Sequence, residues 1–320
     1  MRPIQYVFAG ILATALLTTF SAHRVSARQG QPGNANGPQV HMTVSAEPRH
    51  GMEIPAVNKE DVIVDEGHDH DRVTSWIAAQ GPNAGMELLI LIDDSSSVSL
   101  GSQLDDIRSF INSQPGTTFV GVGYMQNGTV DLKQNFTADH ASAAKSLRLP
   151  LGAAAGVTAS PYFSLTDFTK HWRFDPARPR REVLMITDGV DAYNGGGPVD
   201  PYLDDAIAEA ERAGIVVYSI YTPGTGHIRH SFYLNNWGQN YLSELSEETG
   251  GESYWQGLGP AVDFSPYLDE LSHQLQRQYL LTFIAKPEKK AGFQKVRLST
   301  ENSGVDLNAQ KSVFVPATPD

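Results

Sequence analysis

Two acids and three hydroxyls are spaced so that they could share a cation. Asp93, Ser95 and Ser97 follow the apolar run Leu88–Ile92, with hydroxyls at +2 and +4 from the acid. Asp188, with Gly189 after it, follows a second such run, Val183–Thr187, and Thr158 lies between the two in Gly156-Val157-Thr158. Carboxylates and hydroxyls are hard oxygen donors, the set an octahedral Mg²⁺ takes, with Mn²⁺ or Ca²⁺ as alternatives. Read one by one, the same residues have a plainer use: Ser95 and Ser97 as caps of a following helix, Asp188 as the cap of a loop. The chain has no cysteine, which excludes thiolate zinc, disulfide frameworks and a cysteine nucleophile. Any metal must be held by oxygen or imidazole.

The elements that would position these residues are legible in the apolar pattern. Leu88–Ile92, Val183–Thr187 and Ile215–Tyr221 are unbroken apolar runs, as in strands covered on both faces. Between them, Leu104, Ile107 and Ile111 recur at helical spacing, a helix is predicted over Tyr162–Phe168, and Leu203, Ile207 and Ala210 mark one that stops at Gly214. Thr118–Met125 and Thr129–Phe136 form a predicted hairpin at Asn127-Gly128. A helix over Tyr241–Glu248, a strand near Glu252–Trp255 and a helix striped by Leu268, Leu271 and Leu275 follow. Buried strands alternating with amphipathic helices predict an α/β fold with a doubly wound, mostly parallel sheet. Ligands of such sheets sit beyond the carboxyl ends of the strands, where Asp93 and Asp188 fall.

On either side the pattern is β-like. Val40–Ser45, Asp61–Val64 and Val73–Ile77 precede the α/β region, and Tyr279–Ala285, Gln294–Ser299 and Ser312–Val315 follow it. Each set is too small for a stable sheet alone, so the two are expected to pair in a small β module that brings the chain's ends together. The organisation read is a signal segment over 1–27, a flexible leader over 28–39, β segments over 40–82 and 279–316 around an α/β domain over 86–278, and a tail over 317–320.

Length and charge limit the function classes. The chain has 320 residues and a net charge of −12, with 36 acidic against 24 basic residues. That acidity argues against nucleic acid and against a basic patch on anionic lipid. Arg2 and the apolar stretch Ile4–Phe20, followed by Val25-Ser26-Ala27, read as a secretory signal cleaved near Ala27, with an uncleaved anchor as the alternative. Cleavage there would leave 293 residues with a charge of −14, since the segment carries Arg2 and Arg24 and no acid. The expected location is periplasmic or extracellular, with no membrane span in the mature chain.

Asp93-x-Ser95-x-Ser97, then Thr158, then Asp188-Gly189 resembles the metal-ion-dependent adhesion site of von Willebrand factor type A domains. The chain further resembles a family of exported bacterial proteins related to that domain. The residues carrying this are Val62–Val64 with Asp65-Glu66-Gly67 before the domain, Leu242–Gly251 within it and Gln278–Phe283 after it. The resemblance implies that Ser95 and Ser97 bind a cation, Mg²⁺ first, through their hydroxyls, and Thr158 directly or through water. It implies that Asp93 and Asp188 anchor coordinating waters. One position would stay open for a carboxylate of a partner protein. Two positions depart from the family's pattern: an acid at Asp94, and Val157 in place of a smaller residue before Thr158.

Other motifs read differently. His68-Asp69-His70-Asp71 falls in a predicted hairpin and reads as a solvated turn, two imidazoles making a poor ligand set. Asp191 reads as part of a surface turn, and Arg178-Pro179-Arg180-Arg181 as a solvated loop on the far rim. The stretch Thr222–Asn240 follows a buried strand, so His227, His230, Tyr233 and Trp237 are expected on the rim of the metal site as a partner-binding loop. Its plainer reading is a loop folded on its own aromatics. The leading function is therefore an exported, metal-dependent protein-binding domain, not an enzyme. A metal-assisted hydrolase, with His227 as base, is the second reading; the chain has neither a Gly-x-Ser-x-Gly elbow nor a His-Glu-x-x-His pair. A structural domain with no ion is the third.

Overall fold

The structure is a computed structural model that describes residues 37–49, 55–152, 158–194, 198–224, 231–255 and 263–317. The predicted signal segment therefore lies outside the described residues, as do most of the leader, Gly156, Val157, His227 and His230. The N-terminal strands are β1 (Gln39–Pro48), β2 (Val62–Glu66) and β3 (Asp69–Ala78). The α/β region runs β4 (Met86–Asp93), α1 (Leu104–Ser113), β5 (Thr118–Gln126), β6 (Thr129–Thr137), α2 (His140–Lys145) and α3 (Pro161–His171). It continues through β7 (Arg180–Thr187), α4 (Pro201–Ala213), β8 (Ile215–Tyr221), α5 (Phe232–Thr249), β9 (Ser253–Tyr254) and α6 (Ser265–Gln276). The chain ends with β10 (Gln278–Ile284), β11 (Gly292–Lys295), β12 (Arg297–Thr300), β13 (Val305–Asn308) and β14 (Ser312–Val315).

The central sheet has the order β6-β5-β4-β7-β8-β9, and only β6 runs antiparallel. In order of appearance this is 3-2-1-4-5-6, the doubly wound arrangement. The alternation along β4 explains the layers. Leu88, Ile90 and Ile92 face one side with Ile107 and Phe110 of α1 and Leu271 of α6. Leu89 and Leu91 face the other with Leu165 of α3, Leu203 of α4 and Leu242 of α5. Every residue of β4, β7 and β8 is buried, as their unbroken apolar runs required. At the β5–β6 turn both Asn127 (φ 52°) and Gly128 (φ 81°) adopt left-handed backbone, which fits Asn-Gly and few other pairs.

The flanking strands do pair, in the order β12-β2-β3-β10-β1-β13, and β11 pairs with β14 beside them. Val44, Val64, Phe283 and Val305 fill the core of this β module. The described residues belong to one compact unit, and a buried polar cluster joins module to α/β domain. The Arg180 guanidinium donates to the Gln278 side chain at 2.7 Å, and Gln278 donates to Tyr218 Oη at 3.1 Å. A fragment of residues 86–278 is accordingly expected to melt about 5 °C or more below the full chain. An equal melting temperature would show that the module adds nothing to the α/β domain.

Several expectations are corrected. The helix predicted over Tyr241–Glu248 begins at Phe232, so Tyr233 and Trp237 are helical rather than in a loop. Its first turns lack a continuous apolar stripe, since the rim-facing side is aromatic and polar, so periodicity did not reveal them. Gln39, read as leader, already pairs with Ile284. Gln294–Ser299 is two strands broken at Val296, whose amide turns to the Lys311 carbonyl. Arg180 and Arg181 are not in a solvated loop but buried in β7, donating to the Ala84 and Leu275 carbonyls and to those of Trp172 and Ala213. An arginine can be buried where carbonyls accept its hydrogen bonds, and these carbonyls lie 9 to 96 positions away in the sequence.

Candidate metal centre

Asp93 ends β4 and Thr187 ends β7, adjacent parallel strands in register from Met86–Arg180 to Ile92–Ile186. These are the first and fourth strands of the sheet, and the crevice between them is the topological switch point where such folds bind ligands. Asp93 is 1 % exposed. Its Oδ1 accepts from the Ser95 amide at 2.9 Å and the Ser95 hydroxyl at 2.7 Å, and its Oδ2 from the Thr187 hydroxyl at 2.9 Å. Ser95 is buried as well. A hydroxyl that gives its proton to a carboxylate keeps its oxygen as an acceptor, the state a cation requires.

The other predicted residues are placed as follows. Asp188 is buried one residue past β7, and its Oδ1 accepts from the Val190 amide at 3.0 Å. Gly189, at φ 70°, lies against the Gly238 carbonyl of α5. Thr158 is half-buried; its amide donates to Asn127 Oδ1 at 2.9 Å and its carbonyl accepts from the Asn127 amide at 3.1 Å. Ser97 caps the short 3₁₀ turn Val98–Gln103, its Oγ accepting from the Ser99 amide at 3.2 Å and hydroxyl at 2.9 Å. For Ser97 the plainer capping role is thus the arrangement seen, and binding a cation would require the Ser99 hydroxyl to turn away.

Residues to which the sequence reading gave no metal role hold the three motif pieces together. The Thr187 hydroxyl ties the Asp188 loop to Asp93. Asp191, read as a surface-turn residue, is buried, and its Oδ2 accepts from the Ser160 hydroxyl at 2.7 Å. With the Ala192 amide donating to the Ala159 carbonyl at 2.9 Å, it ties the Thr158 segment to the Asp188 loop. Asp94 closes the triangle: it is buried, and Arg148 donates to both its oxygens, at 2.6 and 2.7 Å. Burial alone would raise the Asp94 carboxyl, but the Arg148 fork and the Leu151 and Gln126 amides hold it below the ordinary range. The only advance signal for these was Ser160-Pro161 as a helix start; the hydroxyl there goes to Asp191 rather than to the helix amides.

The set fits a hard divalent cation on its donor chemistry. Asp93 and Asp188 are two buried carboxylates at the strand tips, with hydroxyls alongside. Among the described residues, the buried hydroxyls of Ser96 and Tyr221 have no hydrogen-bond partner. Burial pushes the Tyr221 phenol up to about 12, and the nearby Asp188 carboxylate adds to the rise. Also among the described residues, no three or more carboxylate, imidazole or thiol groups gather into a set that could hold a metal. The candidate site therefore depends on hydroxyls, and the His68–Asp71 hairpin does not form such a group.

On the rim, Phe232 and Tyr233 of α5 are exposed, with ring centroids 5.9 Å apart, and Tyr233 lies 6.4 Å from Trp237 one turn on. Phe163 of α3 and Tyr193 of the Asp188 loop are exposed and lie 6.5 Å apart.

The fold defines an α/β protein with a doubly wound sheet and an attached β module. Neither a family model nor a curated protein sequence matches the chain. Among solved structures, it is similar to the conserved hypothetical protein BatB from Bacteroides thetaiotaomicron (18 % identity, 60 % of this chain and 97 % of that one, TM-score 0.43). It is similar to the VWA domain of SpRpn10 (14 % identity, 60 % and 97 %, TM-score 0.38). A third is the ArnB paralog VWA2 from Sulfolobus acidocaldarius (10 % identity, 88 % and 76 %, TM-score 0.39). No described helix is long and apolar enough to cross a membrane.

Proposed function

We propose that this chain is an exported protein-binding protein whose α/β domain captures an acidic residue of a partner through a divalent cation, Mg²⁺ in the first instance. The observation that carries the reading is the hydrogen bond from Thr187 to Asp93, which joins two motif pieces at the switch point of the sheet. The motif order and its resemblance to the type A adhesion site support it further. Ser95, Ser97 and Thr158 would hold the cation, with Asp93 and Asp188 supplying negative charge. When bound, the cation would supply the positive charge that makes a carboxylate welcome on an acidic protein. At a net charge of −12 the protein otherwise repels such a partner at long range. The exposed Tyr233 and the half-buried Trp237 would add contact area around it.

Calorimetric titration of Mg²⁺ into the native protein and into Asp93→Ala/Ser95→Ala tests the site. Binding heat is expected from the first and none from the second, and equal affinity in both would sink the assignment. Pull-down of extracytoplasmic proteins with and without EDTA then tests whether capture needs the ion.

A further inference from the structure

We propose that Asp94 and Arg148 form a latch that positions Thr158 relative to Asp93 and so sets the affinity of the site for its cation. The inference rests on the metal-dependent reading above. Asp94 stands between two of the motif residues, yet its side chain belongs to a different structure. Its carboxylate takes both guanidinium nitrogens of Arg148, the Leu151 amide at 2.9 Å and the Gln126 side-chain amide. Its carbonyl accepts from the Gly152 amide at 2.8 Å. One of these partners, Gln126, is followed by Asn127, whose side chain and amide hold both sides of the Thr158 peptide.

The geometry favours a positioning role over a stabilising one. The Arg148 side chain is 29 % exposed, and an ion pair so placed adds little net stability, whereas a two-pronged fork fixes direction as well as distance. Arg148 is itself fixed from behind. Its guanidinium lies 3.9 Å from the Tyr124 ring centroid, its amide donates to Tyr124 Oη at 2.7 Å, and Tyr124 Oη donates to its carbonyl at 2.8 Å. Gly152 then turns with φ 76° beside the Ser96 carbonyl. Thr158 is held by Asn127. Gln126 and Asn127, adjacent at the β5–β6 turn, thus reach the residue next to Asp93 on one side and Thr158 on the other.

The sign of one substitution separates this role from simple electrostatics. Arg148→Gln removes a positive charge near the site, which by charge alone would tighten cation binding. If Arg148 positions Thr158 through Asp94, the same change weakens binding, by about 10-fold or more, as loss of a supporting partner does elsewhere. The experiment is calorimetric Mg²⁺ titration of the full chain, with thermal melts in Mg²⁺ and in EDTA. For Arg148→Gln we expect weaker Mg²⁺ binding and a smaller Mg²⁺-induced rise in melting temperature. Arg148→Lys keeps the charge but loses the fork, and is expected to recover only part of the affinity. Should Arg148→Gln fail to fold, Tyr124→Phe, which changes no charge, is expected to weaken binding by about threefold.

Unchanged or tighter Mg²⁺ binding in Arg148→Gln overturns the latch, even if the melting temperature falls equally in Mg²⁺ and EDTA. Full recovery in Arg148→Lys, or an unchanged affinity in Tyr124→Phe, overturns it too. Absence of Mg²⁺ binding by the wild type would instead overturn the metal reading itself.

Discussion

Gly238→Ala is expected to lower the melting temperature by about 5 °C and to abolish Mg²⁺ binding. A Cβ at this position of α5 would fall inside the van der Waals sphere of the Asp188 carbonyl oxygen, with Val190 close behind. On the facing loop, Gly189 meets the Gly238 carbonyl in the same way, so backbone packs against backbone with no side chain free to move aside. In a solvated helix, glycine to alanine would gain about 1 kcal/mol of helix propensity. Here it forces apart two buried segments, at a cost of about 3 kcal/mol. The net loss of about 2 kcal/mol gives the expected shift in melting temperature. Because the displaced segment is Asp188 itself, the metal site should suffer beyond the loss of stability. Asn236→Ala, on the exposed side of the same helix, serves as the control and should leave both properties intact. Wild-type Mg²⁺ affinity in Gly238→Ala would show that the α5 contact does not position Asp188.

The second large effect is a decline of stability with rising pH that Glu182→Gln reduces. Glu182 lies fully buried in β7, and burial pushes its carboxyl up to about 8, against the opposing pull of the Arg180 charge and the Gln278 side chain. The folded state therefore keeps a proton that the unfolded chain gives up near the ordinary value of 4.5. That contribution to stability is full below the unfolded value and is lost as pH rises through about 8. Over that window the slope is at most about 1.4 kcal/mol per pH unit for one group. Glu211, pushed up to about 7, and the half-buried Asp71, pushed up to about 8, act in the same direction. Asp94, held below its ordinary range, stays ionised throughout and contributes no slope. Thermal melts from pH 5 to pH 8 should show falling stability for the wild type and a shallower fall for Glu182→Gln. A wild-type profile that is flat, or a variant as steep as the wild type, would remove Glu182 from the account.

These two cases mark where the sequence was readable. The buried strands β4, β7 and β8 were legible because both their faces are covered, which leaves an unbroken apolar run. The Asn127-Gly128 hairpin and the stop at Gly214 were legible because left-handed backbone narrows the choice of residue. The start of α5 at Phe232 was not, because its exposed aromatic face hides the helical period. Arg180, Arg181 and Asp191 were misread for a single reason. Each is polar and each is buried, and what permits burial is a partner that local spacing does not reveal: Leu275 and Ala84, Trp172 and Ala213, Ser160.

The candidate site divides along the same line. The sequence by itself determined the donor types and the strand tips that carry them, since an apolar run ending in an acid fixes both. It also determined that the flanks must pair, because neither holds enough strands to stand alone. Only the tertiary structure decided that the first and fourth strands lie side by side, so that Thr187 reaches Asp93. Only it decided that Asp94 faces Arg148 and not a cation. Spacing along a chain specifies which residues share an element; it does not specify which loops meet. Their meeting here depends on sheet order and on hydrogen bonds between residues 31 to 94 positions apart.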